Sequence, residues 1–294
     1  MRNNEGRTQI PPELLEKFMK QQEEKMVGTP APTPPPSPMT APAQTAGYQV
    51  PTDYVELPSA GKLYPEGHLW KDKAKVEVRY MTTKEEDILA NQNYAKAGVL
   101  FDKLIESIVV DRINADTIFP GDKNAIIINA RKNSYGEDYS FTSLCDNCFT
   151  DFEHTINLSE LKSVDIDLSK ISSSNTLTVE LPVTKKMVEF KIATSADLKR
   201  VAQQVEMRTK HGLEVSETSE LHRVMIVAID GNTDSNFIAS FASQMLVKDS
   251  RFLKKQYENM KPDVDFTYVH SCTECGHENK GGVPVGTNFF WSDD

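Results

Sequence analysis

Between residues 54 and 82 the chain reads YVELPSAGKLYPEGHLWKDKAKVEVRYMT, with apolar and polar positions alternating around Gly and Pro. That period-two rhythm predicts short strands and turns. From Thr82 the period lengthens. TTKEEDILANQNYAK opens with Thr83 as the expected N-cap and Glu86 three residues on, a capping-box spacing. GVLFDKLIESIVVD sets Leu100, Leu104, Ile105 and Ile108 on one helical face. PGDKNAIIINARKNSYG offers Asp122 as a cap and Gly136 as a stop. Here Asp122, Lys123 and Arg131 read as a cap and two solvated charges rather than as catalytic groups. Strand pattern returns in EDYSFTSLC and FTDFEHTINL, and TLTVELPVTKKMVEFKIAT predicts a hairpin turning near Lys185. After Ser195 the helices resume: SADLKRVAQQVEMRTKHG with Gly212 as its stop, SELHRVMIVAIDG ended by Gly231, then SNFIASFASQML and KDSRFLKKQYENM, closed by Pro262. The tail VDFTYVHSCTECGHENKGGVPVGTNFFW is strand-like again.

The first fifty residues follow other rules. IPPELLEKFMKQQEEKM starts with prolines where a helix can accept them and carries a short apolar stripe, Leu14, Leu15 and Phe18. Residues 28–47 follow, with seven prolines between 30 and 42, a composition that samples extended conformations and packs no core. The expected organisation is an N-terminal amphipathic arm over 1–27, a proline-rich linker over 28–47, and a folded body over 48–294. The arm reads either as a solvated helix or as one that docks a partner through its stripe. A second candidate contact is the turn from Pro58 to Pro65, where Leu63 and Tyr64 have little local core to join. The other reading packs them on the strand at Val76 to Tyr80.

At 294 residues, 38% hydrophobic and 26% charged, the chain has ample material for a folded core. No apolar run is long enough to span a bilayer. The N-terminus lacks an apolar signal region, so the expected location is the cytosol, where thiols stay reduced. Formal net charge is -10, and residues 1–50 contribute five basic and five acidic side chains, so the acidic excess sits in the body. Such a body forgoes the counterion release that drives nucleic-acid binding, and no basic patch stands out.

All four cysteines fall into C-x-x-C pairs, Cys145 with Cys148 and Cys272 with Cys275, each flanked by strand pattern. Zinc takes four soft ligands in a tetrahedron, and two such knuckles supply them. The 123 residues between the pairs far exceed the usual ~15–20 of a zinc ribbon. An insertion leaves the site intact if the chain returns to it. The favoured reading is therefore one structural Zn2+ on Cys145, Cys148, Cys272 and Cys275, with ribbon halves at 139–158 and 266–285. Separate sites using His154 with the first pair and His270 or His277 with the second, or no metal at all, stay open. The expected fold is α+β: a mainly helical body with short antiparallel strands and a split zinc-ribbon-like element.

Signatures of catalysis are sparse. H-E-x-x-H, G-x-S-x-G and a glycine-rich dinucleotide turn are missing. Gly61-Lys62 looks like the end of a phosphate loop, but Glu56 and Leu63 stand where that motif needs Gly and Ser or Thr. A binding or assembly protein fits better than an enzyme.

Several stretches taken together carry a resemblance: ELPSAGKLYPEG (56–67), VEVRYMTTKEEDIL (76–89), DKLIESIVVD (102–111), GDKNAIIINARKNSYGEDY (121–139), the two knuckles, and VPVGTNFFW (283–291). In this order they resemble the baseplate hub assembly protein family of T4-type contractile-tailed bacteriophages, over roughly residues 50–294. The resemblance implies a non-enzymatic role in building the central hub, through contacts with spike, tape-measure or hub subunits. It implies work in the host cytoplasm or a place in the tail baseplate, and no catalytic residues to carry over. The competing class is a zinc-ribbon nucleic-acid or transcription regulator of a phage, which the net charge disfavours.

Overall fold

The computed structural model describes residues 49–172, 175–213 and 216–291. The arm, its stripe Leu14, Leu15 and Phe18, and the proline-rich linker lie outside the described residues. Eight helices and four small antiparallel sheets make up the rest, an α+β fold as expected. Strands β1 (Thr52–Glu56) and β2 (Lys75–Arg79) form a hairpin. Helices α1 (Thr83–Leu89), α2 (Gln92–Lys96), α3 (Leu100–Ile108) and α4 (Pro120–Tyr135) follow. The capping box of α1 sits one residue earlier than its spacing predicts. The Thr82 N–H and hydroxyl both donate to Glu85, at 2.9 and 2.6 Å. The expected apolar face of α3 is buried along its whole length, and Gly136, at φ 97°, ends α4.

The next hairpin is β3 (Asp138–Leu144) with β4 (Asp151–Asn157). Strands β5 (Thr176–Glu180) and β6 (Met187–Lys191) turn through Lys185, at φ 55°. Helices α5 (Ser195–Lys210) and α6 (Glu217–Met225) lead into β7 (Ile226–Ile229), which pairs with β6. This corrects the expectation of one helix through SELHRVMIVAIDG. The run Ile226–Ile229 is apolar at every position, so its periodicity cannot tell strand from helix, and pairing with β6 decides. Then come α7 (Ser235–Gln244), α8 (Val247–Met260), and the hairpin β8 (Thr267–Ser271) with β9 (Glu278–Gly282).

Helix α4 organises the core. It contacts α3, β1 and the C-terminal turn at Thr287–Phe290. Its residues Asp122, Lys123 and Arg131 are buried rather than solvated, which corrects their sequence reading. Asp122 is fully buried and accepts from Ser59 N–H (2.9 Å), Ser59 Oγ (2.6 Å) and Tyr64 Oη (2.7 Å). Burial pushes its carboxyl above the usual carboxylate range. Lys123 pairs with buried Asp102, which also takes Lys199 of α5 at 2.6 Å, so one carboxylate ties three helices together. Arg131 donates to the carbonyls of Phe289 (3.1 Å) and Gly136 (3.2 Å), clamping the C-terminal segment on the helix.

The turn from Pro58 to Pro65 closes against this core, so Leu63 and Tyr64 are not partner contacts: they are 4% and 0% exposed. Tyr64 stacks on His68 at 4.1 Å, lies 4.6 Å from Phe119, and accepts the Phe119 N–H while donating to Asp122. Gly61 is there for space and backbone. It sits at φ 71°, and a Cβ would come within 2.5 Å of the Trp70 carbonyl and Lys73 N.

Candidate metal centre

Each C-x-x-C pair occupies the turn of a hairpin, and the two turns share one backbone design. In the first, Cys145 N–H donates to Thr150 O (3.0 Å) and Phe149 N–H to Cys145 O (3.0 Å). In the second, Cys272 N–H donates to His277 O (2.8 Å) and Gly276 N–H to Cys272 O (2.9 Å). Both turns need a left-handed residue directly after the second cysteine. Gly276 meets that at φ 70°, and Phe149 meets it at φ 58° despite its side chain.

The hairpins bring the four Sγ atoms within 4.8 Å of one another. Across the gap, Cys145 lies 3.7 Å from Cys275 and Cys148 lies 3.6 Å from Cys272. Disulfides would need about 2.05 Å, and the thiols are free. A zinc tetrahedron with bonds of about 2.3 Å has sulfur–sulfur edges of about 3.8 Å, close to the two cross-hairpin distances. Electrostatics point the same way. Backbone N–H groups of Cys148 and Asn147 face Cys145 and draw its thiol down to about 6. Those of Cys275 and Glu274 face Cys272 in the same manner, yet burial and the neighbouring thiols outweigh them and push it up to about 11. Donors are aimed at sulfur, while four thiolates this close repel without a cation between them. The donor set fits a soft divalent metal.

The histidines weighed as alternative ligands stand elsewhere. His154 and His270 belong to an aromatic seam between the hairpins, where Phe152 stacks on His270 at 4.4 Å and His154 on Tyr268 at 5.0 Å. His277 is exposed and offers its carbonyl to Cys272. Among the described residues the metal-capable cluster is the four cysteines alone. Sequence reasoning missed the braces around them. Buried Asn279 accepts the Asp146 N–H at 2.9 Å and donates to His277 O at 3.2 Å, bolting one knuckle to the other hairpin. Tyr268 Oη donates to Ser143 Oγ at 2.9 Å, and its ring leaves no room for a Cβ at Gly281.

Fold and site together define a small α+β body whose two distant hairpins close on a four-sulfur site. Residues 52–291, nearly all of that body, match the family of T4 bacteriophage base plate proteins, and the chain belongs to that family. It is accordingly a phage structural or assembly protein of the tail baseplate. Neither the curated proteins nor the solved structures gave a match. No described helix is long and apolar enough to cross a membrane.

Proposed function

We propose that this protein is a non-catalytic subunit or assembly factor of the baseplate hub, acting through protein contacts, with a structural zinc on Cys145, Cys148, Cys272 and Cys275. The family match over residues 52–291 carries the reading. The order of motifs from Glu56 to Trp291 supports the hub in particular. The sulfur geometry supports a structural metal: all four positions of a tetrahedron are taken by cysteine, which leaves no open position for substrate. The zinc would staple residue 145 to residue 275 across the intervening chain. In this reading the body is the assembly domain, and the arm over 1–27, on its linker, docks other hub or tail proteins through Leu14, Leu15 and Phe18. The nucleic-acid alternative gains nothing from the first knuckle hairpin. From 133 to 161 it contains six Asp and Glu and no Lys or Arg.

Phage lacking this protein should accumulate unattached heads and no complete baseplates by electron microscopy, with rescue by the intact gene. Normal tails in that knockout would end the assignment. Zinc is tested separately, by elemental analysis of freshly purified, reduced protein.

A further inference from the structure

We propose that the free edge of β3 is a docking site for an extended protein segment bearing Lys or Arg, which adds to the β3–β4 hairpin as a third strand. Among the described residues, strand β3 pairs with β4 alone. The Cys145 N–H donates across the hairpin to Thr150 O, and the Leu158 N–H donates to Glu137 O. In an antiparallel pair these bonds put the odd-numbered residues of β3 in the hydrogen-bonded positions. The backbone N–H and C=O groups of Ser140, Thr142 and Leu144 therefore point outward. No turn, loop or neighbouring strand among the described residues takes them up.

Beside that edge lies a cleft of about 580 Å³, lined by Ser140, Thr142 and Glu153 on the hairpin and by Pro284, Asn288 and Trp291 on the C-terminal segment. This volume lies within the range of binding clefts. Trp291, which lines the cleft, is 45% exposed, and Leu144 at the end of β3 is 59% exposed. A free edge next to a cleft of mixed polar and aromatic lining suits strand addition, in which main-chain bonds give affinity and side-chain contacts give specificity.

Charge names the occupant. The register sets Asp138, Glu153 and Asp151 on the same exposed face as Ser140, Thr142 and Leu144. None of the six carboxylates between 133 and 161 enters an ion pair among the described residues: Glu137, Asp138, Asp146, Asp151, Glu153 and Glu160 are all uncompensated. A second copy of this chain would bring that face against itself, so a basic segment of another protein is the complementary strand.

The proposal rests on the assembly reading for its setting alone. Failure of the peptide test below removes this surface and leaves the baseplate role standing. The probe is a labelled short peptide of alternating Val and Lys, titrated into the full-length, metal-loaded protein and read by fluorescence anisotropy. Binding should weaken with added salt, and the matching Val and Glu peptide should not bind. Because the Thr142 N–H points outward, Thr142→Pro removes no bond within the hairpin and should weaken binding about tenfold or more. Glu153→Lys, which leaves the backbone intact, should weaken it as well, with circular dichroism and metal content unchanged for both variants. Absence of binding, equal binding of the Glu peptide, or full binding by a folded Thr142→Pro protein overturns the proposal. So does sedimentation showing a dimer that Thr142→Pro dissolves, since the occupant is then a second copy.

Discussion

Serine substitution at the four cysteines separates a metal centre from cysteines that merely fill space. Cys145 and Cys272 are buried, Cys148 is half-buried and Cys275 is exposed. Without a metal, Ser at the exposed Cys275 should cost under about 0.5 kcal/mol, as ordinary surface changes do. With a metal, each substitution opens the same closed site, and the four costs converge. Their size follows from topology. The cross-link joins residues 130 apart, and tethering a loop of that length restricts the unfolded chain by about 5 kcal/mol. The hairpins keep the Asn279 brace and the aromatic seam when the metal leaves, so the loss should resemble this cross-link term rather than the larger affinity of an isolated zinc peptide. For a body of this size, about 5 kcal/mol corresponds to a fall in Tm of roughly 10–20 °C. Differential scanning calorimetry of the four Ser variants, and of the parent protein with and without a chelator, reads this directly. A Cys275→Ser protein that melts with the parent, or a parent indifferent to chelation, refutes the reasoning.

Three further outcomes are expected. Phe149→Gly should raise stability by about 1 kcal/mol in chemical denaturation, because Phe149 is 74% exposed and loses little packing while the left-handed strain is relieved; a destabilised variant would show that the ring is packed. Asn279→Ala should cost about 1–3 kcal/mol by stranding the Asp146 N–H, and should speed metal loss to a chromogenic chelator; unchanged stability and release would remove the brace from the account. His222 is buried, and burial, with Lys254 nearby, lowers its imidazole to about 4, so the folded state holds it neutral. The stability it permits is complete above the unfolded value near 6.5 and declines as pH falls towards 4, by about 3 kcal/mol. His222→Gln should flatten that part of the pH profile in urea titrations, and an unaltered slope would assign the acid sensitivity elsewhere.

The legible part of this protein is local. The face of α3, the stop at Gly136, the β5–β6 turn at Lys185 and both knuckle hairpins follow from residue types within a few positions of one another. The cysteine pairs were readable for the same reason, since C-x-x-C is a short-range pattern with few chemical uses. Errors gathered where the deciding partner is remote. Asp122 looked like a helix cap because its partners, Ser59 and Tyr64, lie 63 and 58 residues away. Arg131 looked solvated because the carbonyl it holds belongs to Phe289, 158 residues on. Tyr64 could be read as exposed or as packed because Phe119, which its ring meets, is invisible from the turn that carries it.

What the sequence by itself determined, then, was most of the elements, the acidic character, the baseplate family and the four candidate ligands. Tertiary structure decided that those ligands meet, that Ile226–Ile229 is a strand, and that Asp122, Lys123 and Arg131 of α4 are internal. Among the described residues it also leaves one edge of β3 unpaired, beside the cleft that Trp291 lines. The physical reason is common to all of these. Helices, turns and knuckles are settled by backbone bonds a few residues apart. Burial, ion pairing and edge exposure depend on groups that only folding brings near, across loops whose closing cost grows slowly with length.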